Sequence, residues 1–112
     1  MDEPVLLQLW ERTVGELLDH TGRFPKSARF SFTSRIQTLA LDILETLVRA
    51  RWSPQGRAVL LARADMDLAV LRVLLRLSHD RHFLSTSALE QLAKNLDEAG
   101  RMLGGWRRSV EG

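Results

Sequence analysis

A chain of 112 residues is long enough to bury one core without staples, so a single domain over 1–112 is expected, and with no cysteine it has no disulfide, thiolate nucleophile or zinc–thiolate site. No stretch runs 18 apolar residues without charge, which excludes a membrane-spanning helix, and the acidic start Met1-Asp2-Glu3-Pro4 lacks the basic and apolar regions of a secretory signal, so the expected location is the cytoplasm. The net charge of +2 conceals a gradient: residues 1–19 carry five acids against one base, 20–64 two against eight and 65–112 seven of each, and fourteen of the sixteen bases are arginine.

Arginine's planar fork suits phosphate and carboxylate, so this bias leans toward polyanions or acidic protein partners, although a general use of Arg in place of Lys would leave the same composition. The first helix is expected from about Pro4 to His20. Pro4 suits a first turn, Asp2 and Glu3 complement the positive helix end, and Leu6, Trp10, Val14, Leu17 and Leu18 face inward. Gly22 ends it, and in the joint Thr21 to Ser31 Pro25 forbids an uninterrupted helix. This joint is the most basic: Arg23, Lys26 and Arg29, with Arg35 just beyond, interleave with Phe24 and Phe30. Bases alternating with aromatics suit single-stranded nucleic acid through charge and stacking. The competing reading makes both phenylalanines core plugs beneath the loop.

The second helix is expected from about Phe32 to Arg51, with Phe32, Ile36, Leu39, Ala40, Ile43, Leu44 and Leu47 as its core stripe and Leu41 and Val48 as a weaker second stripe. A tight joint, Trp52 to Gly56, offers Ser53 as N-cap and Pro54 as the first residue of the third helix, which runs to about His79. That helix is too apolar for a bundle surface: between Leu68 and Leu77 only Arg72 and Arg76 are polar, against about three apolar positions in seven for an ordinary core-facing helix. The simplest cover is another copy of the chain, the other being a central place in a flat bundle. After the joint Asp80 to Leu84, Ser85 can cap the fourth helix, Ser87 and Glu90 have capping-box spacing, and Leu89, Leu92, Leu96, Ala99, Leu103 and Trp106 form its stripe. Four helices of similar length on short joints predict an all-α, antiparallel up-down-up-down four-helix bundle.

The fourth helix breaks a local rule. Gly100 and Gly104 share one of its faces, each at a cost of about 1 kcal/mol relative to alanine, and such a pair admits another backbone or ring unless the helix merely frays there. Gly100, Gly104 and Trp106, with Leu68 and Leu75 on the third helix, are therefore expected packing positions, between helices or between subunits. Nothing looks catalytic. His79, Asp80 and His82 lack a convergent third or fourth ligand, Asp65/Asp67 and Asp97-Glu98 are too close in sequence to share a helix face, and no nucleophile elbow, phosphate loop or dinucleotide fingerprint occurs, so no enzyme activity, metal or cofactor is expected. Arg72 and Arg76 lie one turn apart in line with Asp65 and Asp80; Arg76 can reach Asp80, whereas the partner of Arg72 is expected outside its own helix.

Three stretches carry a resemblance. Arg23-Phe24-Pro25-Lys26-Ser27, Leu71-Arg72-Val73-Leu74-Leu75-Arg76-Leu77 and Gly100-Arg101-Met102-Leu103-Gly104-Gly105-Trp106 resemble the Avd family, the accessory variability determinants of diversity-generating retroelements. The resemblance covers nearly the whole chain. It implies a four-helix bundle assembled as a barrel-shaped homopentamer, a non-catalytic helper that binds the element's reverse transcriptase and its template RNA, with the partner-binding role falling on Arg72 and Arg76. The net charge is modest and the first helix acidic for such a protein. The sibling family encoded in intervening sequences of ribosomal RNA genes shares the bundle, and a scaffold that binds protein alone is the remaining alternative.

Overall fold

The computed structural model describes residues 3–111, with side chains over 4–110. Among them are four α-helices and no strand: α1 (Glu3–Thr21), α2 (Ser34–Trp52), α3 (Arg57–Asp80) and α4 (Thr86–Glu111). Each helix packs on its neighbours in chain order and α1 closes on α4, giving a rod of 44 × 24 × 19 Å. Its long dimension follows from helices of this length at about 1.5 Å per residue. Asp2 and the side chain of Glu3, expected at the start of the first helix, lie outside the described residues.

The core is the sum of the predicted stripes. Leu6, Trp10, Val14 and Leu17 of α1, Ile36, Ala40, Ile43 and Leu47 of α2, and Leu92, Leu96, Ala99, Leu103 and Trp106 of α4 are buried. They meet Leu61, Leu68, Leu71 and Leu75 of α3. Fully buried Trp10 donates its indole N–H to the Ala40 carbonyl oxygen at 3.0 Å, which fixes α1 against α2 and leaves no orphaned polar atom. Buried Thr13, Thr21, Thr46 and Ser78 donate to the carbonyl one turn back, at 2.7 to 2.8 Å. Leu18, expected inward, is exposed instead, because Leu17 already occupies the core line and the next residue is rotated by about 100°.

Three junctions differ from expectation. The first joint is mostly wound: a 3₁₀ turn (Lys26–Ala28) runs into a π turn (Arg29–Thr33), and the Ser34 N–H donates to the Arg29 carbonyl. Buried Ala28 and half-buried Phe32 hold this segment to the bundle, with Phe24 and Phe32 each 5.5 Å from the Phe83 ring of the third joint. Ser53 caps nothing with its side chain. Its carbonyl accepts the Gly56 N–H at 3.2 Å, so a 3₁₀ turn occupies Pro54–Gly56 and α3 starts at Arg57. Ser85 does cap α4, accepting the Ala88 N–H at 3.1 Å, but Ser87 lies inside the helix and forms no capping box with Glu90. At the end of α3, His82 sits at φ 64° while Phe83 N–H donates to Ser78 and His82 N–H to His79, both at 2.9 Å, a Schellman closure on a non-glycine residue.

Gly104 and Gly105 do not end the last helix. It continues through both and on to Glu111, so fraying does not explain the glycines.

Candidate partner-binding surfaces

Along the seam between α3 and α4, Gly100 provides the space and Arg72 fills it. A Cβ built at Gly100 would stand 3.0 Å from Arg72 Nη2 and 3.5 Å from Leu68 Cδ2, so any larger residue would make the guanidinium give way on this face. Arg72 then donates from Nη2 to the Leu96 carbonyl at 3.1 Å and from Nη1 to the Asp97 carboxylate. The partner sought outside its helix is α4 of the same chain. Gly104 behaves differently: a Cβ there would meet only Arg108 Nη1, at an ordinary 3.5 Å. The two glycines, equivalent in the sequence, therefore part company.

Arg76, one turn on, is exposed and makes no ion pair among the described residues. The pairing expected with Asp80 is absent; that carboxylate lies 3.8 Å from His79 Nδ1, whose ring in turn bonds Thr86 through Nε2 at 3.0 Å. Arg72 and Arg76 form one wall of a groove of about 350 Å³ whose floor is Leu75, Leu89, Ala93 and Leu96 and whose far wall bears Glu90 and Asp97. Asp65, expected to continue the α3 polar stripe, instead accepts from Arg107 Nη1 at 2.7 Å. Sequence reasoning missed that bond, and it missed Arg57, which donates to the Ala50 and Arg51 carbonyls at 2.7 and 2.9 Å, capping α2 while its guanidinium lies 6.0 Å from the Trp106 ring. Leu68, Leu75 and Trp106 are buried within the single chain.

At the end of the rod where the first and third joints meet, the basic residues are gathered but not neutralised. Arg23, Lys26, Arg29 and Arg35 are all exposed and have no side-chain hydrogen bond or ion pair among the described residues. Arg81, in the third joint, adds a cation at the same end, a residue that the sequence offered no reason to group with the others. Residues 20–41 contain no Asp or Glu, so these four bases have no acid within their own segment. The two aromatics divide: Phe24 is a core plug, 8% exposed, whereas Phe30 is 90% exposed on the π turn.

A third surface is apolar. Val59, Met66, Val70, Val73 and Leu77 are exposed along α3 on the side opposite buried Leu61, Leu68 and Leu75, so the surplus apolar surface read from the sequence stands uncovered in one copy. Leu41 and Val48 of α2 are exposed as a weaker second strip, and Leu18 of α1 is exposed as well. No helix among the described residues is long and apolar enough to cross a membrane, and no three His, Asp or Glu of those residues form a group that could hold a metal ion.

A family model described as bAvd-like matches residues 4–110, and no curated protein matches the sequence. The match takes in all four helices and each surface just described. The chain therefore belongs to the bAvd-like family, a membership that points to an accessory, non-catalytic role in diversity-generating retroelements.

Proposed function

We propose that this protein acts as a homopentameric ring that binds the reverse transcriptase of a diversity-generating retroelement together with its template RNA and supports cDNA synthesis without catalysing it. The observation that carries the reading is the pairing, on one bAvd-like bundle, of an uncovered apolar stripe on α3 with a cap of unpaired cations. A ring requires two unlike faces, and the outer side of α3 with the weaker strip of Leu41 and Val48 on the next copy is the pair of exposed apolar faces this chain offers. Repetition then supplies affinity: one subunit carries a net charge of only +2, but a ring presents Arg76 and the cap bases several times over, so weak interactions combine through high local concentration.

The experiment measures the mass of the protein in solution, then its capture of the polymerase and of the template RNA, for wild type and for Val59→Glu with Val73→Glu, two stripe residues that line neither groove. Both valines are exposed, so the double variant folds as a monomer and loses capture. A wild-type monomer at micromolar concentration overturns the ring. Capture of the polymerase without RNA leaves the protein-binding scaffold.

A further inference from the structure

We infer that Phe30, with the groove beside it, is a nucleobase-stacking site for single-stranded nucleic acid, one per subunit. The inference deepens the RNA-binding part of the reading above and rests on it. Phe30 projects from a π turn, a rare geometry, and lies two residues before Phe32, which points the other way and packs on Phe83. Its ring is 90% exposed, and that position contributes nothing to the core.

Beside it lies a groove of about 520 Å³ between the start of α2 and the middle of α3, within the span of about 300 to 1,000 Å³ of small-ligand sites. Phe32, Val70 and Leu74 line it with apolar surface, and Ser34, Thr38 and Arg35 line it with polar atoms. The hydroxyls of Ser34 and Thr38 make no side-chain hydrogen bond among the described residues, so both are open to the edge of a base. A planar base needs an aromatic face, apolar walls and a few polar groups at its rim, all of which are present here. A phosphate needs cations without internal partners, and Arg35 lies in the groove while Arg29 precedes Phe30 directly.

Charge selects this occupant over a second copy of the chain. A copy docking like face to like face would bring two acid-free segments, 20–41 of each, together, and the unlike-face contact of the ring uses the outer side of α3 instead, whereas a single strand supplies a phosphate for each base it stacks. Stacking on one aromatic also tolerates any base.

The test compares a uridine dodecamer with inorganic polyphosphate, an anion without bases, on wild type, Phe30→Ala and Phe30→Trp, with the assembled mass of each recorded. Phe30→Ala is expected to weaken the dodecamer about five- to hundred-fold while leaving polyphosphate binding, the salt slope and the mass unchanged. Phe30→Trp restores the dodecamer. Equal losses for both anions, or none for either, overturn the stacking site and leave RNA binding by the cap intact. A changed mass for Phe30→Ala places the residue between subunits and overturns the inference. If wild type binds neither anion, the RNA-binding reading falls as well.

Discussion

The α3–α4 seam and the cap over the first joint are both rich in arginine, and in one region the side chains end on this chain's own oxygens while in the other they end in solvent. Arg72 reaches the Leu96 carbonyl and Asp97 across Gly100, and Arg107 reaches Asp65. Arg23, Lys26, Arg29 and Arg35 reach nothing of the kind. The difference lies in what surrounds each residue, since α4 brings Asp97 and a glycine-made gap to Arg72, whereas residues 20–41 contain no acid. Arginine in the seam contributes to stability, and in the cap its positive potential is left for a partner of opposite charge.

The sharpest way to break that comparison is at the seam. In Gly100→Leu the new side chain occupies the path of the Arg72 guanidinium, severs its bonds to Leu96 and Asp97 and presses on Leu68. Overpacking of this kind costs about 1 to 3 kcal/mol, and calorimetry at fixed protein concentration should show Tm lower by several degrees. Gly104→Ala should do the reverse: its Cβ meets only the flexible end of Arg108, so the helix gains up to about 1 kcal/mol of propensity. Equal losses at both positions would return the two glycines to a single packing role.

Periodicity made the bundle legible, because each helix repeats apolar residues at three- and four-residue spacing and Trp10, Ile36, Leu68 and Leu96 had only one face on which to fall. The uncovered stripe of α3 was equally legible, as an excess of apolar residues over what one bundle can bury. The seam was not. Gly100 and Arg72 are 28 positions apart, and a glycine signals that something approaches without naming it, so the sequence showed a gap and an unpartnered arginine but not that each answers the other. Capping by Arg57 was hidden for the same reason: its acceptors are backbone carbonyls, which every residue has. The π turn left no signal, since its bonds are backbone bonds, which any residues can make.

A smaller effect separates the two arginines of α3. Arg72→Ala removes a hydrogen bond to a backbone carbonyl, an ion pair and the side chain that fills the space over Gly100. Because Asp97 is largely exposed, the ion pair counts for little and the loss should be about 1 kcal/mol in thermal or urea unfolding. Arg76→Ala should leave stability within about 0.5 kcal/mol of wild type. In polymerase capture the order changes: Arg76 is available for a partner as it stands, whereas Arg72 must first leave Asp97. The variant that isolates this competition is Asp97→Asn, expected to strengthen capture through Arg72. If it weakens capture, Asp97 itself faces the partner.

The smallest effect on stability belongs to the cap, and there a null result is the informative one. Arg29→Ala and Arg35→Ala remove side chains that touch no acid and fill no core, so Tm should stay within the change expected of about 0.5 kcal/mol. At low salt it should even rise slightly, because the like charges gathered at one end of the rod repel and each removal relieves the rest, an effect that salt screens away. Binding to single-stranded RNA should respond in the opposite sense. Every phosphate left without its arginine lowers the log–log slope of affinity against salt by about 0.7, so the double variant should bind more weakly and with a shallower slope at unchanged stability. A fall in Tm with an unchanged slope would give these arginines the structural role of Arg72, and the contrast between seam and cap would disappear.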